Sequence, residues 1–194
     1  FAKHIFSFYV MGMTAICLVV FILMPYLTRL TAPGFSGSAQ QDLVLFSRIM
    51  LVSPFLMGLS TLLGSFAQAQ KKFFAFAIAP VFYNLGILVG VIGLLPWLGM
   101  VGVVIGVGIG ALLYFLIQIP TLVALGKVPS FTYKVDMSII RRVMKTSIPR
   151  TLASSLTNLT FIIISAIASF LAAGSISIFQ LSYNIETTPL MIIG

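Results

Sequence analysis

The sequence predicts an all-α membrane protein, a polytopic bundle of transmembrane helices. Of its 194 residues, 60% are apolar and only 7% are charged, with a mean hydropathy of +1.17. Soluble domains are about half apolar and a quarter charged. The chain also contains uninterrupted apolar runs of about 20 residues, enough to cross roughly 30 Å of hydrocarbon. Because these runs lack the alternation of barrel strands, helices remain as the spanning element.

The apolar runs divide the chain into about six spans. We predict them at Ile5 to Leu30, Leu43 to Phe66, Phe73 to Leu95, Val101 to Ala124, Ile148 to Leu171, and Ser175 onward. Since the chain starts at Phe1 and stops inside an apolar segment, we expect it to be an internal piece of a longer protein.

Prolines and glycines are expected to shape these helices. Each proline inside a span removes a backbone hydrogen bond and favours a kink; these are Pro25, Pro54, Pro80 and Pro120. In the fourth span, glycines recur every four residues, which lets a neighbouring helix approach closely; these packing candidates are Gly102, Gly106 and Gly110.

The cations predict an orientation. Nine lie on one set of loops and helix ends: Lys3, Lys71, Lys72, Lys127, Lys134, Arg141, Arg142, Lys145 and Arg150. Only Arg29 and Arg48 lie on the other. The positive-inside rule therefore puts the nine in the cytoplasm. The net charge of +8 does not indicate a nucleic-acid partner, because no folded soluble domain displays these cations.

The longest basic connector, residues 127–146, is expected to contain an amphipathic helix. Met137, Ile140 and Met144 share one helical face, and Arg141 and Arg142 lie on others. Such a helix suits the lipid headgroups, either as a plain connector held by anionic lipid or as a regulatory site. Its length marks a joint between residues 1–126, with four helices, and residues 147–194, with two.

Polar residues inside the spans predict an internal cavity. Thr151, Ser155, Asn158, Ser165 and Ser169 form a stripe on the fifth span, with Ser154 beside it. Serine and threonine can bond their own helix backbone, but an asparagine amide needs partners that lipid cannot offer. Asn84 in the third span and Gln118 in the fourth add to this pattern.

Glu186 is one of only three acidic residues and lies inside the last span. A charge at mid-membrane costs roughly 2.5 to 3.5 kcal/mol, so the carboxyl requires a partner, a cavity or a proton. It is either a protonated group bonded to a neighbouring helix or a carboxyl that contacts substrate or couples an ion. Asn184 is two positions away and lies on another face of the helix, and Thr187, three residues from Asn184, shares the face of Asn184.

No catalytic constellation is found. His4 is the single histidine and Cys17 the single cysteine, and no metal-binding, nucleophile-elbow or phosphate-loop motif is present. We therefore expect no enzyme activity, metal site or cofactor, which leaves a transporter, a channel or a structural membrane subunit.

Several segments, taken in chain order, resemble the MurJ/MviN lipid II flippase family. They are "TAPGF", "RIMLVSP", "APVFYNLGI", "LIQIPTLVALG", "IPRTLA" and "ASFLAAGSISIFQLSYNIETTPLMIIG". The resemblance implies a fourteen-helix, two-lobe transporter of the multidrug, oligosaccharidyl-lipid and polysaccharide exporter superfamily. This chain would supply helices three to eight: the last four of the first lobe, the linker, and the first two of the second lobe.

The resemblance also implies which residues line a substrate cavity. Ser177 and Pro189 match the family pattern in the eighth helix, whereas Asn184 stands where the family has arginine, Tyr183 where it has aspartate, and Thr187 where it has glutamate. A neutral amide can donate to a phosphate oxygen but supplies no charge. Arg150 matches a "PR" pattern and could contact phosphate or headgroups, as could Arg141 and Arg142.

The function that follows is transport of the undecaprenyl-linked peptidoglycan precursor, lipid II, across the bacterial plasma membrane by alternating access. Membrane lipids and cell-wall synthesis proteins are the further partners implied. The alternatives are an exporter of another polyprenyl-linked oligosaccharide, a drug or cation antiporter that titrates Glu186, and a scaffold that transports nothing.

Overall fold

The computed structural model describes residues 2–126, 129–132, 136–172 and 174–193, without the side chains at 153, 154, 157 and 189–193. Helix is the only regular secondary structure in these ranges, which confirms the predicted all-α class. The elements are α1 Ala2–Thr31, α2 Gly37–Met50, α3 Val52–Ala69, α4 Phe74–Leu88, a π-helical segment Val89–Leu94, α5 Leu95–Leu98, α6 Met100–Leu116, α7 Ile119–Ala124, α8 Met137–Ala168 and α9 Ser175–Ile193. Lys127, Lys134 and the side chains of Ser154 and Pro189 lie outside the described residues.

Four stretches of the described chain are long and apolar enough to cross a membrane. They are Ala2–Thr31, Gly37–Ala69, Phe74–Leu98 and Met100–Ala124, with mean hydropathies between 1.8 and 2.5. They correspond to the first four predicted spans, so the protein is a multi-pass membrane protein. In the fifth predicted span the described apolar helix is shorter, Asn158–Ala168, and α9 lies in the sixth, so a membrane crossing by either helix stays a prediction.

Prolines coincide with the helix breaks in the second and fourth spans, where the proline lacks the N–H that would bond the carbonyl four residues earlier. Pro54 has no N–H to donate to the carbonyl of Met50, and α2 ends at that residue. Pro120 likewise cannot donate to Leu116, where α6 ends before α7 begins. Pro25 and Pro80 lie inside continuous helices instead.

Helix α6 packs against α4 and the π-helical segment through glycine. A Cβ added at Gly90 would lie 2.6 Å from the Cα of Gly106, and one at Gly102 would lie 2.6 Å from the backbone of Leu94. Gly110 is similarly close to the carbonyl oxygen of Tyr83. Gly102, Gly106 and Gly110 are all buried. The two helices approach closely because no side chain separates their backbones.

Two compact units divide the chain. The first comprises Phe1–Ile22 and Leu45–Lys145, and the second comprises Leu23–Val44 and Thr146–Gly194. In the first, the Ser60 hydroxyl donates to the carbonyl of Tyr114 over 2.9 Å. In the second, the backbone N–H of Gly34 donates to Ser169 Oγ over 3.0 Å. The assignment of chain segments to transporter lobes stays a prediction.

Residues 137–146 of the basic connector and residues 148–168 of the fifth predicted span form one helix rather than two. Helix α8 runs for 32 residues and continues through Pro149, which removes a single donor without ending the helix. It starts at an N-cap, because Asp136 Oδ1 accepts hydrogen bonds from the Ser138 backbone N–H over 2.9 Å and from its hydroxyl over 2.7 Å. On its apolar face, Ile140 is buried, whereas Met137 and Met144 are exposed.

Candidate functional site

A pocket between α8 and α9 contains the acidic residue that the sequence singled out. Its volume is about 490 Å³. We call it the α8–α9 pocket, and its lining residues are Leu156, Thr160, Phe161, Ile164, Phe179, Tyr183 and Glu186. Phe179, Tyr183 and Glu186 follow one another at steps of four and three, so they occupy one face of α9. The pocket therefore has an aromatic wall with one carboxyl group.

The aromatic wall consists of three packed rings. The centroid of Phe161 lies 4.9 Å from that of Tyr183 in an edge-to-face arrangement and 5.2 Å from that of Phe179. Phe179 and Tyr183 are 6.3 Å apart. Such geometries stabilise aromatic clusters beyond simple area burial. The cluster fixes the turn of α9 that precedes Glu186.

Glu186 is exposed, and no group in the described part of the chain donates a hydrogen bond to its carboxylate or forms an ion pair with it. Its pocket neighbours are aromatic, aliphatic or, at Thr160, a hydroxyl that donates to the carbonyl of Leu156. The described lining thus supplies no cation. A carboxylate in this position can bind an ammonium or another cation from a ligand, or accept a proton.

Asn184 and Thr187, on the same helix, are not among the lining residues of this pocket. The Thr187 hydroxyl donates to the carbonyl of Tyr183 over 2.9 Å, and that of Thr188 donates to Asn184 over 2.6 Å. Both threonines are therefore satisfied by their own helix, whereas the Asn184 side chain is exposed. No residue in the described part of the chain bonds its side-chain amide, which can therefore meet a ligand.

Ser177 lies nine residues before Glu186, which is about 13 Å along a helix. It lines a second pocket of about 210 Å³ with Ser169 and Phe35. The structure therefore separates Ser177 from Glu186, although the sequence grouped them in one cavity.

The polar stripe on α8 is satisfied in part by its own backbone. Ser155 Oγ donates to the carbonyl of Thr151 over 2.8 Å, and Ser169 Oγ donates to that of Ala166 over 2.6 Å. Asn158 is exposed and is absent from the lining of the α8–α9 pocket. Bonds to the backbone of the same helix thus satisfy the two serines, whereas no described residue bonds the Asn158 amide.

Asn84 and Gln118 belong to the first compact unit, whereas Asn158, Asn184 and Glu186 belong to the second. Asn84 is exposed on α4. Gln118, at the break between α6 and α7, is completely buried, and neither amide atom has a hydrogen-bond partner among the described residues. A buried amide of this kind is destabilising unless water or another group satisfies it.

The three arginines predicted to contact headgroups or phosphate all lie in the first half of α8 and are exposed: Arg141, Arg142 and Arg150. Arg141 borders a shallow pocket with Phe8 and Met144. Arg142 and Arg150 each have an interaction partner. The described residues contain no cluster of three or more histidine, cysteine, aspartate or glutamate side chains that could hold a metal ion.

The aromatic wall was missed by sequence reasoning. Phe179, Tyr183 and Glu186 share a helical spacing that could have suggested a common face, but rings in a membrane helix usually face lipid or a neighbouring helix. Phe161 comes from another helix, so only the pairing of α8 with α9 reveals its contribution.

Comparison with known proteins adds an independent line of information. The family model described as "Lipid II flippase MurJ" matches residues 1–194. This chain belongs to the MurJ family of lipid II flippases. A curated MurJ, the lipid II flippase of Burkholderia cenocepacia, is 27% identical to it over 164 residues. The match covers 81% of this chain and 32% of that MurJ, so the chain spans about a third of its relative's length.

Membership of the MurJ family confirms the resemblance seen in the sequence. The apolar helices of the described chain are those expected of a multi-pass membrane protein of this family. The α8–α9 pocket is the candidate site because it contains Glu186. Asn184, where the resemblance implies an arginine in relatives, lies on the same helix outside the pocket lining.

Proposed function

We propose that this chain is part of a flippase that moves lipid II from the inner to the outer leaflet of the bacterial plasma membrane by alternating access. The match of the MurJ family to the whole chain is the observation that supports it. In this proposal the protein is a transporter and not an enzyme, and its nine clustered cations face the cytoplasm.

The α8–α9 pocket would form part of the wall that meets the polar portion of the substrate. Asn184 would donate to a phosphate oxygen, as a neutral substitute for the arginine of relatives. Glu186 would accept from an ammonium or hydroxyl group, since the described lining offers it no cation. Ser177, Thr187, Asn158, Asn84 and Gln118 remain cavity candidates, to be brought together in other conformations of the transport cycle.

A second candidate function is cation-coupled export, and the aromatic wall beside Glu186 favours it. Aromatic faces attract ammonium groups, and a carboxylate adds charge complementarity. The rings of Phe161, Phe179 and Tyr183 line the same pocket as that carboxylate. A drug or cation antiporter would use this arrangement directly, whereas a flippase would use it for a substrate amine or a coupling ion.

Rescue of a bacterial host depleted of its essential lipid II flippase tests the proposal. The full-length protein and its Asn184→Ala and Glu186→Ala variants would be supplied in trans, with Thr188→Ala as a matched control on the same helix. We expect growth with the unaltered protein and with Thr188→Ala, and a large loss of plating efficiency with Glu186→Ala, because the described pocket lining contains no second carboxyl to replace it.

Failure of the unaltered protein to rescue, at membrane levels equal to those of the host flippase, would reject lipid II as substrate and favour another polyprenyl-linked oligosaccharide or a scaffold. Export of cationic dyes that depends on a proton or sodium gradient and is abolished in Glu186→Gln would instead establish the antiporter.

A further inference from the structure

A groove between α1 and α3 ends at an arginine and lies in the first compact unit. Its volume is about 340 Å³, within the range of sites that hold small ligands. The lining residues are Thr14, Cys17, Leu18 and Phe21 of α1, with Arg48, Leu51, Val52 and Phe55. Most of these side chains are apolar, and none is acidic, so the groove combines a hydrocarbon surface with a single positive charge.

Arg48 is held at the end of this groove by Phe21. Its Nε donates to the backbone carbonyl of Phe21 over 3.2 Å, and its Cζ lies 4.7 Å from the centroid of the Phe21 ring. Within the described part of the chain, these are the contacts made by the guanidinium. Its remaining N–H groups can therefore donate to a ligand without breaking a protein hydrogen bond.

The helix lengths give the depth of Arg48 in the membrane. Helix α3 has 18 residues, about 27 Å at 1.5 Å per residue, which is nearly the full hydrocarbon thickness. Lys71 and Lys72 follow its end, and Arg48 lies just before its start. Arg48 thus lies near the hydrocarbon boundary on the side opposite these lysines, within the apolar stretch Gly37–Ala69. Phe21, about 28 Å along α1 from Ala2, contacts Arg48 and therefore lies at a similar depth.

From this boundary, the groove descends toward the middle of the bilayer. Thr14 and Phe21 are seven residues apart, about 10 Å along α1, and Phe55 lines the matching part of α3. An acyl chain lying in the groove would leave its headgroup phosphate beside Arg48. Arginine pairs with phosphate through charge-assisted hydrogen bonds, which are stronger where water is scarce.

We propose that this groove is a binding site for an anionic glycerophospholipid of the leaflet opposite Lys71 and Lys72. One acyl chain occupies the groove, and the phosphodiester accepts hydrogen bonds from Arg48. The preference for an anionic headgroup follows from the lining, which contains no carboxylate to receive the ammonium of a zwitterionic lipid. The site involves neither the α8–α9 pocket nor Glu186, so it is separate from the proposed transport function.

Photolabelling tests this site. The full-length protein in nanodiscs would be exposed to trace phosphatidylglycerol that carries a diazirine on one acyl chain, with the labelled residues located by peptide mass spectrometry. We expect label between Thr14 and Phe21 and between Val52 and Phe55. Arg48→Gln should reduce it about tenfold, the loss expected for one charge-assisted pair. Arg48→Lys should retain part of it.

Arg29→Gln is the matched control, because it removes the other cation of the same membrane side from a residue outside the groove. Leu18→Trp supplies a second test that keeps the arginine and fills the groove, and it should also abolish label. Both variants must elute as the unaltered protein does on gel filtration, so that loss of label reports binding rather than misfolding.

Three results would overturn the proposal. Equal labelling of Arg48→Gln and the unaltered protein would exclude a headgroup contact. Equal labelling by a phosphatidylcholine probe would exclude selection for an anionic lipid. Label spread evenly over all membrane helices would indicate annular lipid. Label displaced by a polyprenyl phosphate but not by phosphatidylglycerol would indicate a different lipid class.

Discussion

Glu186 illustrates how the chemistry of a single residue depends on the residues that surround it. Glu186 stands out in the sequence because a charged carboxyl in an apolar membrane helix is costly in free energy and requires a partner. The structure adds Phe161, Phe179 and Tyr183 on its pocket, a contribution that spacing along one helix could not supply. Gln118 shows the reverse case, because a polar residue that indicated a cavity is completely buried without a hydrogen-bond partner in the described chain.

Replacement of Gln118 by leucine should stabilise the protein. The substitution removes two buried amide atoms without partners, each of which costs about 1 to 3 kcal/mol, and it keeps a similar volume. We expect a higher midpoint of thermal unfolding in detergent, measured by light scattering and intrinsic fluorescence. Gln68→Leu, at a half-buried glutamine in α3, should change it little. A lower midpoint for Gln118→Leu would show that the amide is satisfied in the membrane.

The stability of the first turn of α8 should depend on pH through its N-cap residue, Asp136. The Ser138 hydroxyl, followed by the Ser138 backbone N–H, holds the pKa of Asp136 below its usual value. The folded protein therefore binds a proton at Asp136 less readily than the unfolded chain does. The cap stabilises the folded helix fully at pH values above the usual carboxyl pKa. This stabilisation is lost as the pH falls through the lowered pKa of the folded protein. Hydrogen exchange in the first turn of α8 should accelerate on acidification.

The substitution Asp136→Asn should remove most of this pH dependence, because an amide does not titrate. Asp42→Asn removes an equal charge from α2 and should leave exchange in α8 unchanged. Exchange in the first turn of α8 that accelerates equally in the unaltered protein and in Asp136→Asn would contradict the assignment of the cap.

At the scale of elements, hydropathy and proline positions predicted the first four spans and two of their interruptions. Pro54 and Pro120 each coincide with a break because the missing N–H leaves a carbonyl four residues earlier without its partner. The sequence did not predict that α8 is continuous. The charged connector and the apolar span differ in composition, but composition does not show whether two helical segments join into one helix. The glycines spaced by four, Gly102, Gly106 and Gly110, lie on the contact face, whereas Gly108, outside that spacing, has nothing within 4 Å of an added Cβ.

Alanine at Gly106 should weaken the contact between α6 and the π-helical segment. Its Cβ would lie 2.8 Å from the backbone nitrogen of Gly90, and a backbone cannot rotate away. Overpacking of this kind costs about 1 to 3 kcal/mol. Gly108→Ala is the matched control because its Cβ enters open space. The thermal midpoint should fall for Gly106→Ala alone, and equal midpoints would contradict glycine-mediated packing.

At the scale of the whole molecule, the apolar composition identified a membrane protein. The order of short sequence segments identified the family. The match of the MurJ family over residues 1–194 supports that second inference. How the polar candidates combine into a cavity did not follow from the sequence, because they are distributed over both compact units. Asn158, Asn184 and Glu186 belong to one unit, and Asn84 and Gln118 to the other.

The most direct test of the central claim is the amount of lipid II exposed on the outer leaflet of cells depleted of their own flippase and supplied with the full-length protein. An added hydrolase that cannot enter the cell would cleave the exposed lipid, and mass spectrometry would quantify the product. We predict cleavage comparable with that of cells that keep their own flippase, and at least tenfold less with Glu186→Ala. Intact lipid II in cells that express the unaltered protein would contradict the account.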